Sequence, residues 1–452
     1  MGSTTIDPAT TAQQLATAYT SATQSQLTTQ STKAQSTASA LSKLQSALSA
    51  FDTALSAMTT KKSVLSYGAT LSSSGFATAT AGAGATAGNY SVFVEQVASA
   101  HQIAFEDLPA VPVSLGGPLV VQMANGSSFN VNLAGADQDN NGTLSQTEIA
   151  RAINQASGNN GMVSAMVVTS GSQTNLVLSA GSTGAGSQIT LDTSGLPAST
   201  LKTTLAGGGK QLSAAQDAVM WLGAQTTGVK IQQASNTFTA VAGVNLTVTQ
   251  AQTPGSSPLT LAVTNNDSGT ASNVQSFVDA YNKLETALDG LTAIGSSTAA
   301  AGAFASDSGV TSLRSHLASI LRQEVGGVRL MDFGVTAGRD GQLSLDQTKL
   351  SKGLTAHPDG LDSLLGSNSS SAPTGLMGAF STLSKQWTNS STGLIKSRQD
   401  SVQRTQASIT TRQTKLEDQY NMLYQRYLAQ FTQLQSLQSS MSDNTSLLAS
   451  LS

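Results

Sequence analysis

Residues 395–441 read IKSRQDSVQRTQASITTRQTKLEDQYNMLYQRYLAQFTQLQSLQSSM, and with one exception every seventh position from Ile395 is apolar. Ile395, Val402, Ile409, Leu416, Leu423 and Leu437 share one heptad site, and Gln430 interrupts the run. Tyr420, Tyr427, Leu434 and Met441 share a second site, offset by three or four positions. A strict 3.5-residue spacing keeps one stripe of a helix facing its partner, so this stretch is a coiled-coil seam. Near the other end, Leu41, Leu44, Leu48, Phe51, Leu55 and Met58 follow one another in alternating steps of three and four. Two seams at opposite ends of a chain imply that the ends pack together. The expected fold class is α+β: an antiparallel coiled-coil or helical stalk made from both termini, carrying discontinuous β-rich head domains.

Composition narrows the function classes. The chain has 452 residues, of which only 10% are charged and 4% aromatic, and its net charge is −3. Nucleic-acid binding needs clustered Lys and Arg, which this balance does not supply. With no cysteine there is no disulfide, thiolate metal site or cysteine nucleophile. No stretch approaches 18 consecutive apolar residues, so no membrane partner is expected. The N-terminus has neither a basic segment nor an apolar one after it, so a cleaved signal peptide is not expected.

The pattern changes along the chain. Residues 1–40 are low in complexity, with Asp7 and Lys33 their only charges, and are expected to be disordered or weakly helical. Residues 41–75 are assigned to the N-terminal helix of the stalk. Short alternating runs at 90–94, 119–123, 129–133, 162–168, 175–178, 189–191, 229–231 and 244–249 read as strands punctuated by Gly, Asn, Ser and Pro. They define a β-rich head domain at 76–104 plus 210–270 and an inserted β-rich outer domain at 105–209. A helix at 145–155 interrupts them. Helical spacing returns at 271–291 and 309–323, and residues 271–435 complete the stalk, with a break at Thr392-Gly393. Residues 436–452 are expected to be disordered.

The sharpest local motif is Asp137-Gln138-Asp139-Asn140-Asn141-Gly142-Thr143-Leu144-Ser145-Gln146-Thr147-Glu148. It fits the calcium-binding EF-hand loop position by position: Asp137, Asp139, Asn141, Thr143, Ser145 and Glu148 stand where oxygen ligands belong, with Gly at the sixth place and Leu at the eighth. A second reading needs no metal. Asp-Asn-Gly is ordinary turn chemistry, and Ser145 with Glu148 forms a capping box for the helix that follows. No cofactor is expected, with calcium at this loop the one candidate. Gly82 to Gly88 is glycine-rich but opens a strand, as a linker does and a nucleotide loop does not. His101, His316 and His357 lie in separate elements, so no catalytic constellation is expected, and the chain is not expected to be an enzyme. Tyr420, Tyr424, Tyr427 and Phe431 cluster on the C-terminal helix, as seam core or as a partner site.

Several segments resemble the flagellar hook-associated protein 2 family, the filament cap proteins. They are Tyr90-Ser91-Val92-Phe93-Val94 running on to Ala100, read as a strand and helix; Asp217-Ala218-Val219 with Gly228-Val229-Lys230-Ile231, Ser235-Asn236-Thr237 and Val241 to Val248; Phe277-Val278-Asp279-Ala280-Tyr281-Asn282; Phe333-Gly334-Val335 with Asp340 to Asp346; and Arg412, Glu417, Arg426, Tyr427, Gln430 and Phe431. They fall in family order. The resemblance implies a cap subunit at the distal end of the filament that forms a homo-oligomeric plate, promotes folding and insertion of exported flagellin, and serves motility. It implies flagellin as partner, with hook–filament junction proteins and an export chaperone on the C-terminus as further partners. It places the chain outside the cell at the flagellum tip, exported without a cleaved signal peptide. The rival readings are another axial protein, flagellin or a junction protein, and a calcium-stabilised adhesin.

Overall fold

The computed structural model describes residues 7–450 apart from 62, 172, 299 and 370, with the side chains of 170 and 447–450 left aside. In chain order it runs helix α1 (Pro8–Thr60); strands β1 (Tyr67–Leu71), β2 (Ala77–Ala81), β3 (Gly88–Gln96), β4 (Gln102–Glu106), β5 (Val111–Pro112), β6 (Pro118–Met123), β7 (Ser128–Asn132) and β8 (Thr143–Leu144); helix α2 (Gln146–Gln155); strands β9 (Val163–Ser170), β10 (Gln173–Ala180) and β11 (Ile189–Asp192); helix α3 (Thr200–Ala206); strands β12 (Lys210–Ser213), β13 (Ala218–Leu222), β14 (Val229–Gln233), β15 (Thr237–Phe238), β16 (Val244–Val248) and β17 (Leu259–Asn265); helices α4 (Asp267–Thr292) and α5 (Ser308–Leu321); strands β18 (Val335–Ala337) and β19 (Leu343–Leu345); and helices α6 (Gln347–Ala356), α7 (Gly360–Leu365), α8 (Gly375–Thr388) and α9 (Leu394–Ser450). Two compact units result, one of residues Met1–Val64 with Ala271–Ser452, the other of Leu65–Thr270. The class is α+β, with both chain ends in the helical unit.

In the helical unit α1 starts cleanly. Asp7 caps it by accepting the N–H groups of Ala9 and Thr10, and Pro8 takes the first helical place, where its missing N–H costs nothing. α1 and α9 lie antiparallel. Gln399 Nε2 donates to Gln45 Oε1 at 3.1 Å, and further along Arg412 Nη1 donates to Gln30 Oε1 at 3.0 Å. Between them Leu27, Ala34, Ile409 and Leu416 form a buried cluster with Val402 against it. Leu41, Leu44, Leu48, Phe51, Leu55 and Met58 are all buried. Phe51 also meets Phe380 of α8 edge-on at 5.3 Å and Tyr281 of α4 at 6.2 Å, so here α1 joins a helical core wider than a two-helix seam. The break before α9 is built by Asn389, whose Oδ1 accepts the N–H groups of Ser391 and Thr392. A Cβ at Gly393 would stand 2.4 Å from the Asn389 carbonyl, so a larger residue there must displace this turn.

The β-rich unit holds two cores. One gathers Val92, Val94, Met220, Leu246, Leu261 and their neighbours from the five-stranded sheet β1-β17-β3-β13-β14 and the three-stranded sheet β15-β16-β2. The other runs from Ile103 to Leu205 and gathers Phe105, Leu119, Leu144, Ile149, Leu176 and Leu178. Its sheets are β12-β4-β10-β9 and β11-β6-β7. All the strand pairings in these four sheets are antiparallel.

Several boundaries differ from the sequence reading. α1 crosses residue 40 without interruption, because Ala12, Ala16 and Thr20 are buried even though they offer little apolar surface. It stops at Thr60 rather than 75, since β1 begins at Tyr67 and pairs with β17. Helix α9 passes residue 436 and continues to Ser450. Residues 1–6 and 451–452 of the terminal regions lie outside the described residues. The joints at 104/105 and 209/210 fall within one sheet, because β12, leaving the insertion, pairs with β4, which enters it. Residues 97–100 form no helix after β3; the Ser99 N–H bonds the Gln216 carbonyl instead. On the seam, Tyr420 and Tyr427 are half-buried and Leu434 is exposed. Exposure rises from 8% at Leu423 to 48% at Leu434 and 69% at Met441. In an antiparallel pair each step back along α1 matches one forward along α9, so the start of α1 comes level with about residue 434 and nothing of α1 lies beyond it.

Leu416→Asp or Leu423→Asp places a charge in the packed seam and should cost roughly 2–5 kcal/mol, lowering helicity and melting temperature together. Gln413→Asp should change little. Thermal melts followed by circular dichroism check this, and equal small effects at all three sites would contradict a packed seam. Limited proteolysis should remove the chain after about residue 434 before it cuts within α1; mass spectrometry of the fragments reads the order.

Candidate functional site

Three places in the molecule gather polar chemistry or unsatisfied surface. The first is residues 137–148, between β7 and α2. Asn140 at φ +54 and Gly142 at φ +80 reverse the chain. Asp137 accepts the N–H groups of Asn141 (3.2 Å) and Gly142 (2.9 Å), and Asp139 accepts the N–H of Asn141 at 3.1 Å. The capping box read from the sequence is present: the Glu148 N–H donates to Ser145 Oγ at 3.3 Å, and the Ser145 N–H donates to Glu148 Oε2 at 2.9 Å. The other Glu148 oxygen accepts the Gln138 N–H at 2.9 Å, which ties the start of the loop to the helix. These bonds, led by that from Ser145, hold the Glu148 carboxyl below its usual value, so it is charged at neutral pH. Asp137, Asp139 and Glu148 each present an oxygen within 4.8 Å of the others. Asn141 Oδ1 is turned to the N–H of Thr143 at 2.8 Å, and Ser145 Oγ to Glu148.

The second place is a cleft of about 830 Å³ between α4, α5 and the β18–β19 hairpin, lined by Tyr281, Glu285, Arg314, Arg322, Arg339 and Asp340 among others. Glu285 is 2% exposed, and Arg314 meets its Oε1 at 2.5 Å and Asp289 at 3.1 Å. Burial pushes the Glu285 carboxyl up, and Arg314 opposes that. The pair fastens α5 to α4. Sequence reasoning passed over it because residues 285 and 314 lie in different helices and neither forms a motif. The same holds for Asp362, which accepts the Val64 N–H at 2.7 Å and clamps the chain after α1.

The third is the far end of α9, where Leu434, Leu437 and Met441 are exposed, while Leu15 and Tyr19 are exposed on α1. Tyr420 stacks on Tyr424 with centroids 6.5 Å apart, and the Arg426 guanidinium lies over Tyr427. The histidines stay apart. His101 is buried and its Nδ1 accepts the Ile189 N–H at 3.0 Å, and burial lowers its pKa; His316 and His357 are exposed. The glycine-rich stretch at 82–88 leads from β2 into β3, a strand. No helix among the described residues is long and apolar enough to cross a membrane.

The chain matches the sequence profiles of the flagellar hook-associated protein 2 N-terminus over residues 4–101 and of its C-terminus over residues 215–443. The lateral flagellar hook-associated protein 2 of Vibrio parahaemolyticus is 36% identical over 383 residues, 84% of each chain. The B-type flagellar hook-associated protein 2 of Pseudomonas aeruginosa is 29% identical, over 80% of this chain and 78% of its own. Among solved structures, the D1-D2-D3 domains of the flagellar cap protein FliD from Escherichia coli superpose with a TM-score of 0.63 at 25% identity, covering 80% of this chain and 99% of that one. The insertion at 102–214 lies outside both profile matches, which meet the chain at the sequence segments that flank it. This chain belongs to the flagellar hook-associated protein 2 family.

Proposed function

We propose that this chain is the structural cap subunit at the distal end of a bacterial flagellar filament, where copies of it form a plate that promotes folding and insertion of exported flagellin. The observation that carries this reading is the nested plan itself: two chain ends in one antiparallel helical unit, with a β-rich region inserted between them. It is joined to a likeness with a flagellar cap protein over 80% of the chain. The mechanism needs no bond-making residue. The free energy released when flagellin folds drives its own insertion, and the cap offers surfaces that hold the site open. The far end of α9 suits docking into the filament, because its apolar residues Leu434, Leu437 and Met441 are exposed among the described residues and can be covered on binding. Its partners in this reading are other copies of itself, flagellin, hook–filament junction proteins and an export chaperone on the C-terminus. Its place is the flagellum tip outside the cell, reached by export. A chain with no cysteine can make that passage unfolded with nothing to oxidise.

Cells lacking the protein should release flagellin into the medium and build few or no filaments. Cells making only a chain without residues 435–452 should show the same loss, while circular dichroism of the purified truncation shows the fold intact. Filament counts by electron microscopy read both. Normal filaments in the full deletion would remove the cap reading, and normal filaments with the truncation would remove the far end of α9 from the mechanism.

A further inference from the structure

We infer that residues 137–148 bind one calcium ion, held by Asp137, Asp139, Asn141, the Thr143 carbonyl, Ser145 and Glu148. Two independent observations meet here. The first is the linear pattern, which is more than a run of acids. It sets oxygen-bearing residues at the first, third, fifth, seventh, ninth and twelfth places, the chain-reversing Gly142 at the sixth and an apolar residue at the eighth. The second is electrostatic. Glu148 is a carboxylate only 4% exposed, and it shares its surroundings with two more carboxylates within 4.8 Å. Among the described residues none of the three has a Lys or Arg partner; Arg151, on the same helix, donates instead to the Ala136 carbonyl at 2.6 Å. Like charges at this range repel, and a buried charge ordinarily has a counter-ion. A cation at their centre turns the repulsion into attraction.

The dimensions suit calcium. Oxygens on opposite sides of a calcium ion stand no more than about 5 Å apart, given metal–oxygen distances of 2.3–2.6 Å. Three oxygens within 4.8 Å of one another lie at most about 2.8 Å from a common centre, so a shift of a few tenths of an ångström brings all three carboxylates onto one ion. The backbone ligand is not used by the β5–β8 pairing. The Gly142 carbonyl accepts the Val113 N–H at 2.9 Å, and successive carbonyls of a strand point opposite ways, so that of Thr143 faces away from β5. Leu144 is fully buried in the insertion core, and Ile149 and Ile153 fix α2, so both ends of the loop are held before any ion arrives. The capping box accounts for Ser145 and Glu148, and turn bonds engage Asp137 and Asp139, but neither supplies a counter-charge for the three carboxylates. Carboxylate oxygens have lone pairs enough to keep these N–H bonds and still bind metal. With three charged ligands and neutral Asn and Ser at the fifth and ninth places, binding belongs at the weak end, with a Kd of about 0.1–1 mM as in extracellular modules.

Calcium chloride titrated into the full chain in a calorimeter should give one site per chain. Calcium should raise the melting temperature of the β-rich unit through mass action, and magnesium should do so less. Glu148→Gln keeps an oxygen for the Ser145 N–H while removing a charge, and with Asp137→Asn it should weaken binding by about 100-fold or more. Asp139→Asn, at an exposed position outside the capping box, is the variant that keeps the test open if the double variant misfolds, and it should weaken binding measurably. Absence of both heat and melting shift at millimolar calcium in the unaltered chain overturns the proposal, and so does an unchanged calcium response in folded Asp139→Asn. Filament counts play no part, so this outcome is separate from that of the cap reading.

Discussion

Apolar side chains repeated every seven residues on two helices have one economical place in water, which is against each other. Here that requirement falls on opposite ends of the same chain. Leu27 and Ala34 of α1 must meet Ile409 and Leu416 of α9, so the chain between them has to leave the helical unit and come back. The nested plan follows from that demand. The pairing also sets where surface is left over: α1 begins at Pro8, so the last turns of α9 carry apolar residues with nothing of α1 beside them. In an isolated chain this is a liability, and in an assembly it is a contact surface.

The seam was legible because its residues are large and regularly spaced. The first forty residues were not, because their contribution is made by small side chains. Ala12 and Ala16 are wholly buried, and Thr17, Thr20, Ser21 and Gln24 border the space beside Leu416 and Tyr420. Small residues on one helix accommodate bulky ones on the other, and a search for large apolar residues does not see the smaller half of such a pair. The strand β13 was missed for a different reason. Ala218-Val219-Met220-Trp221-Leu222 is a continuous apolar run lying between β3 and β14, so it lacks the alternation that reveals a half-exposed strand. β17 does alternate, burying Leu259, Leu261 and Val263, so its pattern stood in the sequence and was passed over. The insertion was visible from its turns; its neck was not, because the pairing of β4 with β12 joins residues about a hundred positions apart.

Family membership rests on segments spread along the chain and on a helical unit whose packing can be traced residue by residue. The loop at 137–148 lies in the insertion, between the two stretches that the family profiles match. Its chemistry is read from spacing, burial and charge. The Glu285–Arg314 pair, in which Glu285 is buried, holds α4 to α5.

The central claim is the antiparallel pairing of the two termini within one chain. The absence of cysteine allows a direct distance measurement, because labels can be placed at will. Spin labels at residues 45 and 399, or at 30 and 412, should read short distances, since packed helix axes lie about 8–10 Å apart. Labels at 45 and 412 are offset by roughly 20 Å along the axis, the rise of thirteen helical residues, and should read longer by about 12 Å. The short distances should survive dilution with unlabelled protein. Loss of the short distances on dilution would show that the seam joins different chains, and equal distances for all three pairs would show that the two helices do not share a register.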